Sequence, residues 1–241
     1  MTRFSTILAP LFFLLAAGIA SPSAASTAHA EIDFPQDPVF AAAKRHLLNQ
    51  AAGPSDTASK AIHLEDATAG LLRFTYQDGS LTDTDATIEI VDLDGSRSRL
   101  KVTIPSDFGG RSELLLQKLK EAVRRAAETS GQALAYDAKR VYRAALRYVL
   151  KTFISSKQKK EDVVFVTSED VGLIRFIYRK GTFKDPNASI EVIPAGSNAS
   201  RLHAFVPSEP TGRQALLEGD VLAAVKSDLG GEGAAQAESD R

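Results

Sequence analysis

One stretch of this chain occurs twice, 102 residues apart. Residues 70–79 read Gly-Leu-Leu-Arg-Phe-Thr-Tyr-Gln-Asp-Gly, and residues 172–181 read Gly-Leu-Ile-Arg-Phe-Ile-Tyr-Arg-Lys-Gly. Without any gap, 19 of the 46 pairs between residues 70–115 and 172–217 are identical. Unrelated sequence of ordinary composition would give roughly 3. A duplication of this length predicts two like domains in tandem, and each copy tests any role assigned to the other.

Hydrophobic spacing supplies the elements. Val39, Ala42, Ala43 and Leu47 in the first copy, and Val141, Ala145, Tyr148 and Phe153 in the second, recur at helical intervals. The first of these helices is expected to end near Gly53-Pro54. Residues 71–76 and 173–178 read as strands, followed by turns at Gly79 and Gly181. Further strands are expected over 61–64, 86–93 and 98–104, and over 163–166, 188–193 and 200–206. Pro105 and Pro207 close the last of each set. A second helix then starts near Gly110-Arg111 and Gly212-Arg213. Connections this short make the sheets antiparallel. The expected fold is α+β: two tandem repeats, residues 36–128 and 138–229, each a roughly four-stranded antiparallel sheet packed against N- and C-terminal helices. The small, polar segment 230–241 is expected to be a disordered tail.

The first 30 residues read as a signal peptide. Arg3 is the positive end, Ile7 to Ala20 is almost wholly apolar, and Ala28-His29-Ala30 has the small-x-small form of a cleavage site. A cut after Ala24 or Ala25 is the alternative. The apolar run of about 14 residues is short of the roughly 20 that span a bilayer. The expected localisation is periplasmic or secreted, with a soluble mature chain. Cysteine is absent, so there is neither a disulfide nor a lipid-anchor cysteine. Removing Arg3 with the leader leaves 28 basic against 30 acidic residues, a net charge of −2. That balance argues against nucleic acid, which calls for a basic face.

Strand alternation sorts the repeated residues by face. Leu72, Phe74 and Tyr76 share one side of their strand, and Arg73 lies on the other. Arg73, Glu89 and Arg99 fall on one sheet face on successive strands, and Arg175, Glu191 and Arg201 repeat the set. Such a ladder holds strands in register. As a site, its two arginines would offer forked donors to an anion or a protein partner. Ser106 and Ser208, four residues before the Gly-Arg pairs, read as turn and cap residues, or as helix-terminal anion sites. Asp83-x-Asp85 and Asp92-x-Asp94-Gly lack the glutamate-terminated twelve-residue calcium loop and read as turns. His46, His63 and His203 show no zinc spacing. No catalytic set, metal site or cofactor fingerprint appears.

In the second copy a strand ends in Ser168-Glu169-Asp170-Val171 and leads into Gly172-Leu173-Ile174-Arg175-Phe176. This succession resembles the tandem helix-grip domains of the outer-membrane assembly lipoprotein C family, an accessory of the machinery that inserts β-barrels. The resemblance implies sheets wrapped around helices. It departs in lacking the family's lipid-attachment cysteine and its long N-terminal segment. A duplicated domain without a duplicated catalytic set predicts a non-enzymatic, exported binding or scaffold protein that contacts an envelope protein. Two linked sites would gain avidity on a repeated partner. The alternative is a carrier of a small apolar or amphipathic ligand in a cavity between sheet and helix, lined by Phe74, Tyr76, Phe176 and Tyr178.

Overall fold

The computed structural model describes residues 25–50, 62–79, 81–107, 110–128, 132–154, 159–209 and 212–239. Gly53-Pro54 and the apolar run of the expected signal peptide lie outside them. The first domain comprises β1 (Ser26–Ile32), α1 (Gln36–Gln50), β2 (Ile62–Asp66), β3 (Leu71–Asp78), β4 (Leu81–Asp92), β5 (Ser98–Ile104) and α2 (Arg111–Ala127). The second comprises β6 (Gln132–Leu134), α3 (Ala138–Phe153), β7 (Val164–Ser168), β8 (Leu173–Lys180), β9 (Phe183–Pro194), β10 (Ser200–Phe205) and α4 (Gly212–Ser239).

The α+β tandem repeat stands, with five strands per sheet rather than four. The antiparallel orders are β1-β5-β4-β3-β2 and β6-β10-β9-β8-β7. The strand that sequence reading leaves out is the one before each first helix. β6 has only three residues, too few for an alternation to show. β1 contains the Ala28-His29-Ala30 triplet that reads as a cleavage site. In the tail, α4 continues to Ser239 through the segment expected to be disordered; Ala234, Ala235 and Ala237 are strong helix formers.

The repeated residues turn out to be local devices of the fold. Gly70 and Gly172 have φ of +64° and +63°, and a Cβ at either would sit 2.0 Å from a strand carbonyl, Ile90 O or Val192 O. Only glycine tolerates both the conformation and the approach. Ser98 and Ser200 donate to the carbonyls of Phe34 and Tyr136, each at 3.0 Å, fixing the strand to the start of the helix. Asp83 and Asp185 are buried, and each accepts a backbone N–H at 2.8 Å, from Ser106 and Ser208. These carboxylates therefore take the donors that a Ser106 or Ser208 anion site would use. Asp107 does the same at the start of α2, accepting from Arg111 N and Ser112 N at 2.9 and 2.7 Å.

Alternating residues of β3, β4 and β5 (Leu72, Phe74, Ile88, Ile90, Leu100, Val102) pack on Leu115, Leu119 and Val123 of α2 and on Val39, Ala43 and Leu47 of α1. The second core repeats this with Val141, Ala145 and Val149 of α3 and Leu217, Val221 and Val225 of α4. A third, smaller cluster joins Leu48 of α1 to Val166, Val171 and Leu173, on the far face of the second sheet. The layers thus run sheet, helices, sheet, helices. α1 lies between two sheets, which explains why even its Lys44, Arg45 and His46 are buried. Among the described residues no helix is long and apolar enough to cross a membrane.

Candidate ligand-binding site

The second domain gathers five aromatic rings at one end of the space between its sheet and α3. Phe176 and Tyr178 point inward from β8. Phe153, the last residue of α3, stands over both, with ring centroids 5.1 Å from Phe176 and 5.6 Å from Tyr178. Tyr148 meets Phe153 edge-on at 6.0 Å, and Phe183 of β9 meets Tyr178 at 6.2 Å. The Arg213 guanidinium lies 3.9 Å above the Phe183 ring, a cation–π contact that holds the ring in place, and it also pairs with Glu209. Burial, reinforced by the nearby Asp220 carboxylate, pushes the Tyr148 phenol above its ordinary pKa.

Tyr178 is 2% exposed, and its hydroxyl has no hydrogen-bond partner among the described residues. A buried hydroxyl left this way costs about 1–3 kcal/mol. Strand alternation placed Phe176 and Tyr178 correctly. Phe153 and Tyr148 showed in the sequence only as a helical stripe, and nothing marked Phe183, which meets Tyr178 through the β8–β9 hairpin and Arg213 through the packing of α4. The cluster is not duplicated. At the 102-residue offset, Tyr148 corresponds to His46 and Phe183 to Leu81. Phe74 is buried in the first core, and Tyr76 only packs against its margin.

The two copies of the charged ladder have different surroundings. In the first domain each member pairs with a neighbour other than the next rung: Arg73 with Asp85 at 4.0 Å, Glu89 with Lys101 at 2.9 Å, Arg99 with Glu31 at 3.1 Å. Arg73, Glu89 and Arg99 are solvated on this face. In the second domain the first domain's helices lie against the corresponding face. Arg175 is 3% exposed and donates to Asn187 Oδ1 at 2.8 Å. Glu191 accepts from Asn49 of α1 at 3.4 Å. Arg201 donates to the carbonyl of Glu128, the C-cap of α2, at 3.0 Å, where a cation complements the helix dipole. Lys44 reaches both Glu65, at 2.6 Å, and Asp170 of the second domain.

His63 bonds Thr75 at 2.6 Å, His203 stacks on Phe205, and His46 is buried in α1. No group of three or more metal-ligating side chains occurs among the described residues. The Asp92 and Asp94 carboxylates accept backbone N–H groups of their own turn, at Gly95 and Ser96.

No protein-family model matches the chain, and no curated relative does. Solved structures similar to it include two di-domain proteins. One is the di-domain aromatase/cyclase (ARO/CYC) BexL from the BE-7585A biosynthetic pathway, 12% identical, with a TM-score of 0.35, covering 85% of this chain and 94% of that one. The other is the di-domain ARO/CYC StfQ from the steffimycin biosynthetic pathway, 11% identical, with a TM-score of 0.35, covering 84% and 97%. At these values the likeness carries no residue role to this chain.

These findings correct three expectations. The structures found are not of the outer-membrane assembly lipoprotein C family. The Gly-Leu-Ile-Arg turn behind that resemblance is explained by Gly172 beneath the Val192 carbonyl, a requirement of the backbone. The similar di-domain structures carry the name aromatase/cyclase, so the expectations of a non-catalytic envelope scaffold and of a chain that is no enzyme find no support among them and are withdrawn. Both rested on the lack of a duplicated catalytic set. The aromatic cluster shows the weakness of that premise, since it occurs in one domain and not in the other.

Proposed function

We propose that this protein binds a small apolar or amphipathic ligand in its second domain, between the sheet and α3. The observation that carries this reading is the buried, unpartnered hydroxyl of Tyr178 among Phe153, Phe176 and Phe183. The rings supply an apolar contact surface, and the hydroxyl supplies one donor that fixes orientation, the usual composition of a small-molecule site. The ligand must carry an acceptor, such as a carbonyl, carboxylate or phenolate, at one end of an apolar body. Tyr148, Phe153 and Phe183 are half-buried and rim the fully buried pair Phe176 and Tyr178.

A thermal-shift series with medium-chain fatty acids and planar polycyclic phenols tests the reading. A ligand at 100 times its Kd stabilises by about 2.7 kcal/mol, which reads as several degrees in Tm. The shift should fall sharply in Tyr178→Phe, which keeps the ring and removes the donor. A panel that leaves the wild-type Tm unmoved rejects the reading.

A further inference from the structure

The small-x-small triplet Ala28-His29-Ala30 has an explanation inside the fold. It lies in β1, where Ala28 is 3% exposed and Ala30 packs on the same core, while His29 and Glu31 face outward. That is strand alternation beneath a helix. Every residue of β1 is in register with β5, from Ser26 opposite Ile104 to Ile32 opposite Ser98. The Ser26 carbonyl accepts from the fully buried Ser112 of α2 at 2.9 Å, and the Thr27 and Thr103 hydroxyls meet at 3.2 Å. Hydrolysis after Ala30 would remove residues 26–30, five of the seven in β1. It would take Ala28 out of the core, leave Ser112 without its acceptor and expose β5 as a raw sheet edge.

We infer that the leader is cut between Ala25 and Ser26, so that the mature chain begins with the first residue of β1. Ser23 and Ala25 place small side chains at the two positions a leader peptidase reads, as Ala28 and Ala30 do. The step is hydrolysis of one amide: water adds across the Ala25–Ser26 bond, giving an Ala25 carboxylate and a Ser26 ammonium. The site is independent of the ligand reading. The bond lies just before β1, so the cut leaves every residue of that strand in place.

The test is expression of the full chain with its own leader in a Gram-negative host, followed by N-terminal sequencing and intact mass of the product under denaturing conditions. Processing to Ser26 is expected. Any other N-terminus, including Glu31 or an uncut Met1, overturns the assignment. Two variants extend the test and need no folded product. Ala25→Arg should accumulate the uncut chain, and Ala30→Arg should still yield Ser26. The reverse pattern overturns the inference.

Discussion

Arg45 of α1 donates through Nε to the Val171 carbonyl at 2.8 Å, joining the first domain to the far face of the second sheet. Both residues are buried, and burial lowers the Arg45 pKa while the Glu191 charge opposes the shift. With Lys44 bridging Glu65 and Asp170 beside it, α1 serves two cores at once. Arg45→Met keeps the apolar stem and removes the donor. It should cost about 1–3 kcal/mol, the penalty of a buried acceptor left bare, read as a lower urea midpoint of a single transition. An unchanged midpoint would mean the domains do not depend on this contact.

Equivalent positions of the repeat should respond unequally. Arg73 is half-exposed beside Asp85, so Arg73→Ala should cost below about 0.5 kcal/mol. Arg175 is buried and bonded to Asn187, and Arg175→Ala should cost about 2–4 kcal/mol through lost packing and a stranded amide. Equal losses in chemical denaturation would contradict the stacking of the first domain's helices on the second sheet.

His46 sets a pH dependence. Burial, with the Arg125 and Lys118 charges adding to it, lowers its pKa from 6.5 to about 4. The unfolded chain takes up the proton as the pH falls through 6.5, whereas the folded chain resists until about 4. The stabilisation is therefore complete above the unfolded value and is lost as pH falls from 6.5 towards 4, on the order of 3 kcal/mol in all. His46→Gln should flatten that part of the curve of stability against pH. A variant curve parallel to that of the wild type would assign the dependence to other groups.

Tyr178→Phe should stabilise the ligand-free protein by about 1 kcal/mol, because it deletes a buried hydroxyl without a partner. The same substitution should weaken ligand binding. Destabilisation in the ligand-free state would show that the hydroxyl already has an internal partner.

The sequence made the repeat, the antiparallel sheets and the faces of β3, β4 and β5 legible, because these follow from period and offset. Leu72, Ile88 and Leu100 lie inward as alternation requires. The strand before each first helix stayed hidden: β6 is too short to show a period, and the alanines of β1 satisfy two patterns at once. The ladder residues were placed on the correct face, but the domain that lies against Arg175, Glu191 and Arg201 was not foreseeable, because stacking of domains leaves no local period. The aromatic cluster was half legible. Phe176 and Tyr178 follow from alternation, whereas Phe153 and Phe183 join them only through the α3–sheet packing and the β8–β9 hairpin.

Native mass spectrometry of wild-type and Tyr178→Phe protein, each purified from its own host, tests the ligand reading most directly. A bound small molecule is expected on the wild type, released on gentle activation, with its loss or marked reduction in the variant. A clean ligand-free mass for the wild type, or equal occupancy in both proteins, would contradict it.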